Sequence, residues 1–302
     1  MFRHVVARAS LVSLTAAVAL TVGCDGPAPS PLAPTAPTTP VASMPPPAVL
    51  PAGSIQVRGF VQDTALRRLS GARVEVVDGP QAGTSTTTNG SGDFLLTGTF
   101  DDSVTFRASK DGHIPATGTL RCAPRCDPGY RGISFALAVF APPAPVAGDY
   151  TVTFTTNTVC TTLPQAVRTR SYAATITPSS NTAFPANTLF AVKLSGARFF
   201  AGYDALTLGV AGNDLTFVFT EGGHGPTVVE EVGPNTYLAF EGSGSTSVAT
   251  SGVATISMFF SGAIDHCQLP SAMGSSYDCP PNRAVALAQC NTGGHRLMLT
   301  RR

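Results

Sequence analysis

Short segments in which apolar and polar residues alternate run through this chain from residue 54 onward, and they constrain its fold more than any other feature. Tyr150, Val152 and Phe154, for example, alternate with three threonines. A period of two places the apolar side chains on one face of a β-strand, which is typical of a sheet buried on one face only. Glycine, proline, asparagine and serine separate the segments, as expected for turns between short strands. We therefore expect an all-β protein.

The charge of the chain excludes one broad class of partner. Only 12% of the residues are charged, the formal net charge is +1, and the arginines are scattered rather than clustered. A chain with this charge distribution has no strong field that would attract a polyanion. Nucleic acid is therefore not an expected partner.

Residues 1–23 have the composition of an export signal. Arg3, His4 and Arg8 make the start basic, and the uncharged, mostly apolar run that follows is shorter than the roughly 20 residues needed to span a bilayer. Ordinary cleavage after Ala17-Val18-Ala19, which has the A-x-A form, is one way in which this leader could be removed.

A second way is indicated by Leu20-Thr21-Val22-Gly23-Cys24, which resembles the signal of bacterial lipoproteins. The resemblance implies that Cys24 is acylated through its sulfur, becomes the mature N-terminus and holds the protein at a membrane. The protein would then be exported and anchored to the cell envelope, at its periplasmic face or at the cell surface. With the ordinary cleavage, Cys24 would be a free thiol.

Residues 24–53 are rich in proline, alanine and threonine and contain almost no charge. Such a segment buries too little apolar surface to offset the entropy of folding, so we expect a disordered linker. In an extended polyproline conformation it would reach up to roughly 90 Å at about 3.1 Å per residue.

Residues 54–141 form the first expected module, a small β-sandwich. Three of its blocks occur in a recognisable order: Gly59-Phe60-Val61-Gln62-Asp63, Leu69-Ser70-Gly71-Ala72-Arg73-Val74-Glu75-Val76 and Thr86-Thr87-Thr88-Asn89-Gly90-Ser91-Gly92-Asp93-Phe94. In order and spacing these blocks resemble the carboxypeptidase regulatory-like domain. The resemblance implies a transthyretin-like β-sandwich without catalytic activity, commonly a spacer or presentation module on surface proteins.

The turn in the third block could be interpreted as a cation site. Asn89, Ser91 and Asp93 carry oxygen atoms, but they offer a single carboxylate where calcium prefers several. The two glycines of the turn allow the positive φ of a tight turn. Turn chemistry is therefore the favoured interpretation, and calcium the alternative.

Residues 148–302 form the second expected module, which begins after the proline-rich boundary Ala141-Pro142-Pro143-Ala144-Pro145. Strand patterns recur throughout it, which favours an up-and-down β-barrel or a barrel-like sandwich, because closure removes exposed strand edges. The start Gly148-Asp149-Tyr150 and the end around Arg296 resemble the two ends of lipocalin-like barrels, although the chain contains no tryptophan.

The chain has seven cysteines, and removing Cys24 from the count leaves six. Six thiols in an exported protein most simply form three disulfides. Cys122 and Cys126 are close enough in sequence to close a local loop. In an up-and-down barrel, Cys160 follows the first strand and Cys290 precedes the last, so both lie at one rim and we expect them to pair. That pairing leaves Cys267 with Cys279.

No catalytic motif is present in the sequence, and we expect neither an enzyme nor a cofactor. Glu230 and Glu231 are adjacent in a predicted strand, so they point to opposite faces and cannot act together on one substrate. The histidines are dispersed; a concave cluster of His224, Asp204 and Glu221 would favour an enzyme.

A zinc site is the alternative use of the late cysteines. It can be written from Cys267, Cys279, Cys290, His266 and His295, but export favours disulfides, so no metal is expected.

These expectations describe a non-catalytic, lipid-anchored envelope protein whose second module binds a ligand, either a glycan or a small apolar molecule. The first alternative is a structural or adhesive envelope protein without a small-molecule pocket, which a filled barrel would favour. The second alternative is a hydrolase that carries its catalytic residues on loops.

Overall fold

The structure is a computed structural model, and it describes residues 55–100, 103–121, 130–220, 225–249, 253–269 and 285–302. Contacts divide the chain into Met1–Val49 and Leu50–Arg302, and every strand among the described residues lies in the second of these units. The expected signal and the expected linker, with Cys24, lie outside the described residues. Within the described ranges, no helix is both long enough and apolar enough to cross a bilayer.

The first module is a β-sandwich built from two four-stranded sheets. Its strands are β1 (Ile55–Asp63), β2 (Arg73–Val76), β3 (Ser85–Thr87), β4 (Asp93–Gly98), β5 (Ser103–Ser109), β6 (Ala116–Arg121), β7 (Tyr130–Gly132) and β8 (Phe135–Leu137). One sheet has the order β4-β1-β7, with β8 also paired to β1, and the other has the order β3-β2-β5-β6. Alternate residues of both sheets, such as Val57, Val74 and Phe106, are fully buried in one shared core. The sandwich predicted from the alternation is therefore present.

The second module consists of antiparallel strands and one short helical turn. The strands are β9 (Gly148–Thr155), β10 (Thr169–Pro178), β11 (Leu189–Ser195), β12 (Arg198–Ala211), β13 (Asp214–Val218), β14 (Val228–Gly233), β15 (Thr236–Phe240), β16 (Ser243–Ser247), β17 (Thr255–Gln268) and β18 (Val285–Arg301). A 3-10 turn at Gln165–Val167 lies between β9 and β10.

These strands close into an up-and-down barrel. The C-terminal half of β12 pairs with β13 and its N-terminal half with β14, so β13 and β14 together occupy one position in the ring. In the same way β15 and β16 both lie beside β17. The ring closes where β18 pairs with β9, from Arg296 opposite Thr155 to Arg301 opposite Tyr150. The barrel therefore has eight strand positions, and the prediction of an up-and-down barrel is confirmed.

The interior of the barrel is filled by side chains. Six aromatic rings of the barrel are at most 1% exposed: Tyr150, Phe154, Phe217, Phe219, Phe240 and Phe260. The ring of Phe154 lies 4.6 Å from that of Phe240 and 6.2 Å from that of Phe260, measured between centroids. Burying each such side chain contributes roughly 1.5–3 kcal/mol, so these rings are a major source of stability. The described interior is thus a packed core.

Two glycines allow the backbone between β15 and β16 to approach the backbone of β17 closely. A Cβ on Gly242 would lie 2.1 Å from the carbonyl oxygen of Ser261, and one on Gly262 would lie 2.0 Å from that of Glu241. Real Cβ atoms do not approach oxygen so closely, so only glycine fits at either position. This close approach lets β17 pair first with β15 and then with β16, so that the barrel stays closed.

The two modules pack against each other through a turn of the sandwich. Leu66, at the end of β1, adopts a φ of 63° and lies over β12, where a Cβ on Gly209 would be 2.7 Å from the Leu66 Cγ. Beside this contact, Arg67 donates to Asp63 of its own module and to Asp214 of the barrel, both at 2.7 Å. The apolar contact and the shared guanidinium fix the sandwich to β12 and β13 of the barrel.

Candidate functional site

Several residues singled out by the sequence lie outside the described residues, namely Cys24, Cys122, Cys126, Cys279, Glu221 and His224. Their expected roles therefore stay predictions. Cys267 is disulfide-bonded, and neither of the other two described cysteines is its partner.

One barrel rim carries a disulfide between Cys160 and Cys290, the pair expected from the strand order. It ties the loop after β9 to β18. Two hydrogen bonds reinforce this tie, from Thr162 Oγ1 to the Gln289 carbonyl at 3.2 Å and from Asn157 Nδ2 to the Gly293 carbonyl at 2.8 Å. The loop is thereby held over the end of the barrel.

The zinc alternative does not fit this rim. Cys160, Cys290 and His295 have potential ligand atoms within 4.8 Å of one another, but both sulfurs are used in the disulfide. The Nδ1 atom of His295 accepts a hydrogen bond from the backbone N–H of Asn157 at 3.1 Å, so the proton of the neutral ring lies on Nε2. Burial lowers the pKa of His295 and keeps the ring neutral. The arrangement is that of a packed core histidine.

The calcium alternative at Asn89 is also poorly supported by the geometry. Asn89 Oδ1 accepts the backbone N–H groups of Ser91 at 2.9 Å and Asp93 at 3.0 Å. The Asp93 carboxylate is paired with Arg68 at 3.2 Å. The oxygen atoms are therefore engaged in holding a turn.

A charged cluster lies inside the barrel, beneath the rim with the disulfide. Glu230 is 2% exposed and accepts two hydrogen bonds from the Arg170 guanidinium and one from the Tyr172 hydroxyl. These bonds raise the pKa of Arg170, while burial is the main cause that raises the pKa of Tyr172. Since both oxygens of the carboxylate are engaged, the cluster stabilises the barrel and offers no free acid or base.

The other acidic candidates are also paired. Glu231 points outward and binds Arg198 at 2.6 Å, so it faces away from Glu230 as its position in the strand predicts. Asp204 is paired with Lys193 at 3.6 Å. The structure therefore does not bring these three carboxylates together as a catalytic group.

Asp265 on β17 was not singled out by the sequence, and it is 2% exposed. Burial raises its pKa from 3.8 to about 6, and its Oδ1 has no hydrogen-bond partner. The folded protein thus binds the proton more tightly than the unfolded chain does. The resulting stabilisation is complete below about pH 3.8 and is lost as the pH rises through about 6.

We expect Asp265→Asn to be more stable than the wild type at pH 7.5, by up to about 3 kcal/mol. Between pH 4 and 6 the free energy of unfolding of the wild type should decrease, and that of Asp265→Asn should not. Urea unfolding at several pH values measures both effects. Asp149→Asn, on an exposed carboxylate of β9, is the control and should leave that decrease in place. Identical pH profiles for wild type and Asp265→Asn would contradict the prediction.

The candidate binding site is a cavity of about 560 Å³ on the outer surface of the barrel, called here the outer trough. Its floor is formed by small side chains on β11 and β12. Leu206 and Leu208 point into the core, so the intervening Thr207 and the preceding Ala205 point outward, and Ala191 lies opposite Thr207. These small residues leave a depression between larger neighbours.

Two loops and the sandwich form the walls of the outer trough. Phe184 lies on the loop between β10 and β11. In this loop the side-chain Oδ1 of Asn181 accepts a hydrogen bond from the N–H of Ala183 at 3.0 Å, and the backbone carbonyl of Asn181 accepts one from the N–H of Phe184. Thr227 directly precedes β14, and an isolated β-bridge pairs Thr220 with Pro226. Leu66 adds a wall from the first module.

The chemistry of the outer trough is uncharged. None of the described residues that line it carries an ionised side chain, whereas aromatic rings and hydroxyl groups are both present. The Thr227 Oγ1 atom is buried and has no hydrogen-bond partner. This site has no signal in the sequence, because its residues come from two modules and form no local motif.

The first module is similar to a known family of domains. Residues 56–125 match the family model of the carboxypeptidase regulatory-like domain. Among curated proteins, none matches the chain.

Solved structures with similarity include a candidate membrane-associated protein of unknown function from Bacteroides fragilis, with 11% identity and a TM-score of 0.23 over 82% of this chain and 98% of that one. Another is a candidate carbohydrate-binding protein from Bacteroides uniformis, with 10% identity and a TM-score of 0.24 over 82% of this chain and 99% of that one. At these TM-scores neither structure carries an inference about this chain.

Proposed function

We propose that this chain is a non-catalytic, lipid-anchored protein of the bacterial cell envelope whose barrel meets its ligand from outside. The observation that carries the proposal is the packed barrel interior, with Phe154 and its neighbouring rings where a hollow barrel would hold a ligand. The outer trough, a cavity of about 560 Å³, lies on the outside of the barrel. A ligand of this protein is therefore bound on the surface of the barrel.

The anchor is supported by the N-terminal sequence. A basic start, an apolar run and Cys24 are followed by a linker that cannot form a core. The disulfide between Cys160 and Cys290 suits an oxidising compartment outside the cytoplasm. These features support an exported protein that is held at a distance from the membrane.

The absence of catalysis is supported by how the polar groups are used. Glu230, Glu231 and Asp204 are each paired with a basic side chain. His295 is buried and accepts a hydrogen bond from the backbone of Asn157. Among the described residues, these arrangements stabilise the fold and form no charge relay.

A structural or adhesive envelope protein is the second candidate function. The packed barrel favours it, because such a protein needs no internal pocket. The two candidates differ in whether the outer trough has a small-molecule occupant.

Incorporation of radioactive palmitate tests the anchor. We expect the full chain, expressed in a bacterium with lipoprotein processing, to be labelled and to sediment with membranes. Cys24→Ala should lose the label and appear in the soluble exported fraction, whereas Cys122→Ala should keep the label. Equal labelling of wild type and Cys24→Ala, or no labelling of either, would reject the lipid anchor.

A further inference from the structure

We propose that the outer trough binds a short, neutral oligosaccharide, held by residues of both modules. The inference rests on the proposed function only in that the ligand binds on the outer surface of the barrel. A cavity of about 560 Å³ lies within the range of roughly 300–1,000 Å³ that is usual for ligand sites. The chemistry of its lining defines the class of ligand.

Among the described residues, none that lines the trough is ionised, which disfavours charged ligands. The ion pair between Lys193 and Asp204, at 3.6 Å, is satisfied within the pair and does not line the trough. A carboxylate or phosphate would lose its hydration here without gaining an opposite charge. The occupant should therefore be uncharged.

Aromatic surface in the trough suits the apolar faces of sugar rings. Tyr203 lines the trough and is stacked on Phe200, with ring centroids 5.8 Å apart and an interplanar angle of 27°. Phe200 in turn meets the Tyr237 ring edge to face at 5.7 Å. The Tyr203 ring is thus held in a fixed orientation before any ligand binds, which lowers the entropy cost of binding. Phe184 provides a second ring from the opposite loop.

Polar groups distinguish a sugar from an apolar molecule. Asn181 lines the trough and uses its Oδ1 on the backbone of its own loop, so its exposed Nδ2 can donate to a sugar hydroxyl. Thr207 brings a hydroxyl group to the floor, and this group can donate to a sugar oxygen or accept from a sugar hydroxyl. An apolar ligand would use neither group.

The packing of the modules explains why the trough is preformed. Leu66 forms one wall, and its position depends on Gly209, where any Cβ would collide with it. The Arg67 bridge to Asp214 keeps that wall in place. A preformed site on a rigid scaffold suits the recognition of a small ligand.

Calorimetric titration of the exported two-module protein, residues 54–302, with cellotriose, maltotriose, mannotriose and chitotriose tests the proposal. We expect at least one of these neutral trisaccharides to bind. Trigalacturonic acid, which is charged, should bind at least about tenfold more weakly than that trisaccharide. Thr207→Trp fills the floor and Tyr203→Ala removes a ring, and each should weaken binding at least about tenfold. Thr151→Trp, on the outer face of β9 away from the trough, should leave binding within about twofold.

Circular dichroism spectra first verify that each variant folds. Failure of all four trisaccharides to bind the wild type, or binding that survives Thr207→Trp, overturns the proposal. Binding of the uncharged apolar dye N-phenylnaphthylamine, lost in Thr207→Trp, with no sugar binding would reject the sugar but retain a ligand met outside the barrel. A wild type that incorporates no palmitate would reject the anchor without affecting either of these results.

Discussion

Replacing Glu230 with alanine should destabilise the barrel by about 3–5 kcal/mol. The substitution removes the acceptor of three hydrogen bonds and leaves the Arg170 guanidinium without a counter-charge beneath the rim. The Arg170 side chain is 31% exposed and can partly rehydrate, which places the expected loss near the lower end of that range. Equilibrium unfolding in urea, followed by tyrosine fluorescence, measures the loss.

The neighbouring Glu231→Ala is the matched control. The Glu231 side chain is 11% exposed, but its partner Arg198 is 80% exposed and stays hydrated when the carboxylate is removed, so we expect a loss of about 1 kcal/mol. Both variants remove a glutamate side chain from neighbouring positions of β14. The comparison therefore separates a carboxylate inside the barrel from one on its outer face. Equal losses in Glu230→Ala and Glu231→Ala would contradict the stabilising role of the inner cluster.

Removing the disulfide between Cys160 and Cys290 should cost about 2–5 kcal/mol. The bridge joins residues that are 130 positions apart, and a cross-link over so long a loop restricts the unfolded chain strongly. In the double variant Cys160→Ala and Cys290→Ala, the loop over the rim keeps three hydrogen bonds to β18, from Thr162, from the Asn157 side chain and from the Asn157 backbone, but loses its covalent link. We therefore also expect faster hydrogen exchange in residues 156–168, measured by mass spectrometry.

Exchange elsewhere provides the internal control for this variant. The sandwich strands β2 and β5 share a separate core, so their exchange at low denaturant should remain unchanged. An unfolding free energy within about 0.5 kcal/mol of the wild type would show that the bridge adds nothing to stability.

The sequence predicted the fold well where the alternation was regular. Tyr150, Val152 and Phe154 are all buried, as their spacing of two requires. Strands without such alternation, such as β3 (Ser85–Thr87) and β16 (Ser243–Ser247), do not follow from this pattern. The expected pairing of Cys160 with Cys290 required only the order of strands in a closed ring. These features depend on local periodicity and topology, which a single sequence contains.

The outer trough could not be predicted in this way. Its floor consists of Ala191, Ala205 and Thr207, which look like unremarkable outward positions in a strand. Its shape depends on Leu66 from the other module and on loops whose conformations are set by hydrogen bonds such as that to Asn181. Glu230 was likewise expected on one face of a strand, but its partner Arg170 is 60 positions away in sequence. Contacts of this range carry no local signal.

The position of β1 determines how the folded part would respond to a pulling force. A tether at Cys24 would apply tension at Ile55, where β1 is flanked by β4 on one side and by β7 and β8 on the other. A force directed along a central strand must shear its hydrogen bonds together instead of opening them one by one, and resistance to forced unfolding is set by the rate of that event. Because β1 continues into the turn that carries Leu66, the load would pass to the barrel wall beside the trough. The sandwich would then act as a mechanical coupling between the anchor and the binding surface.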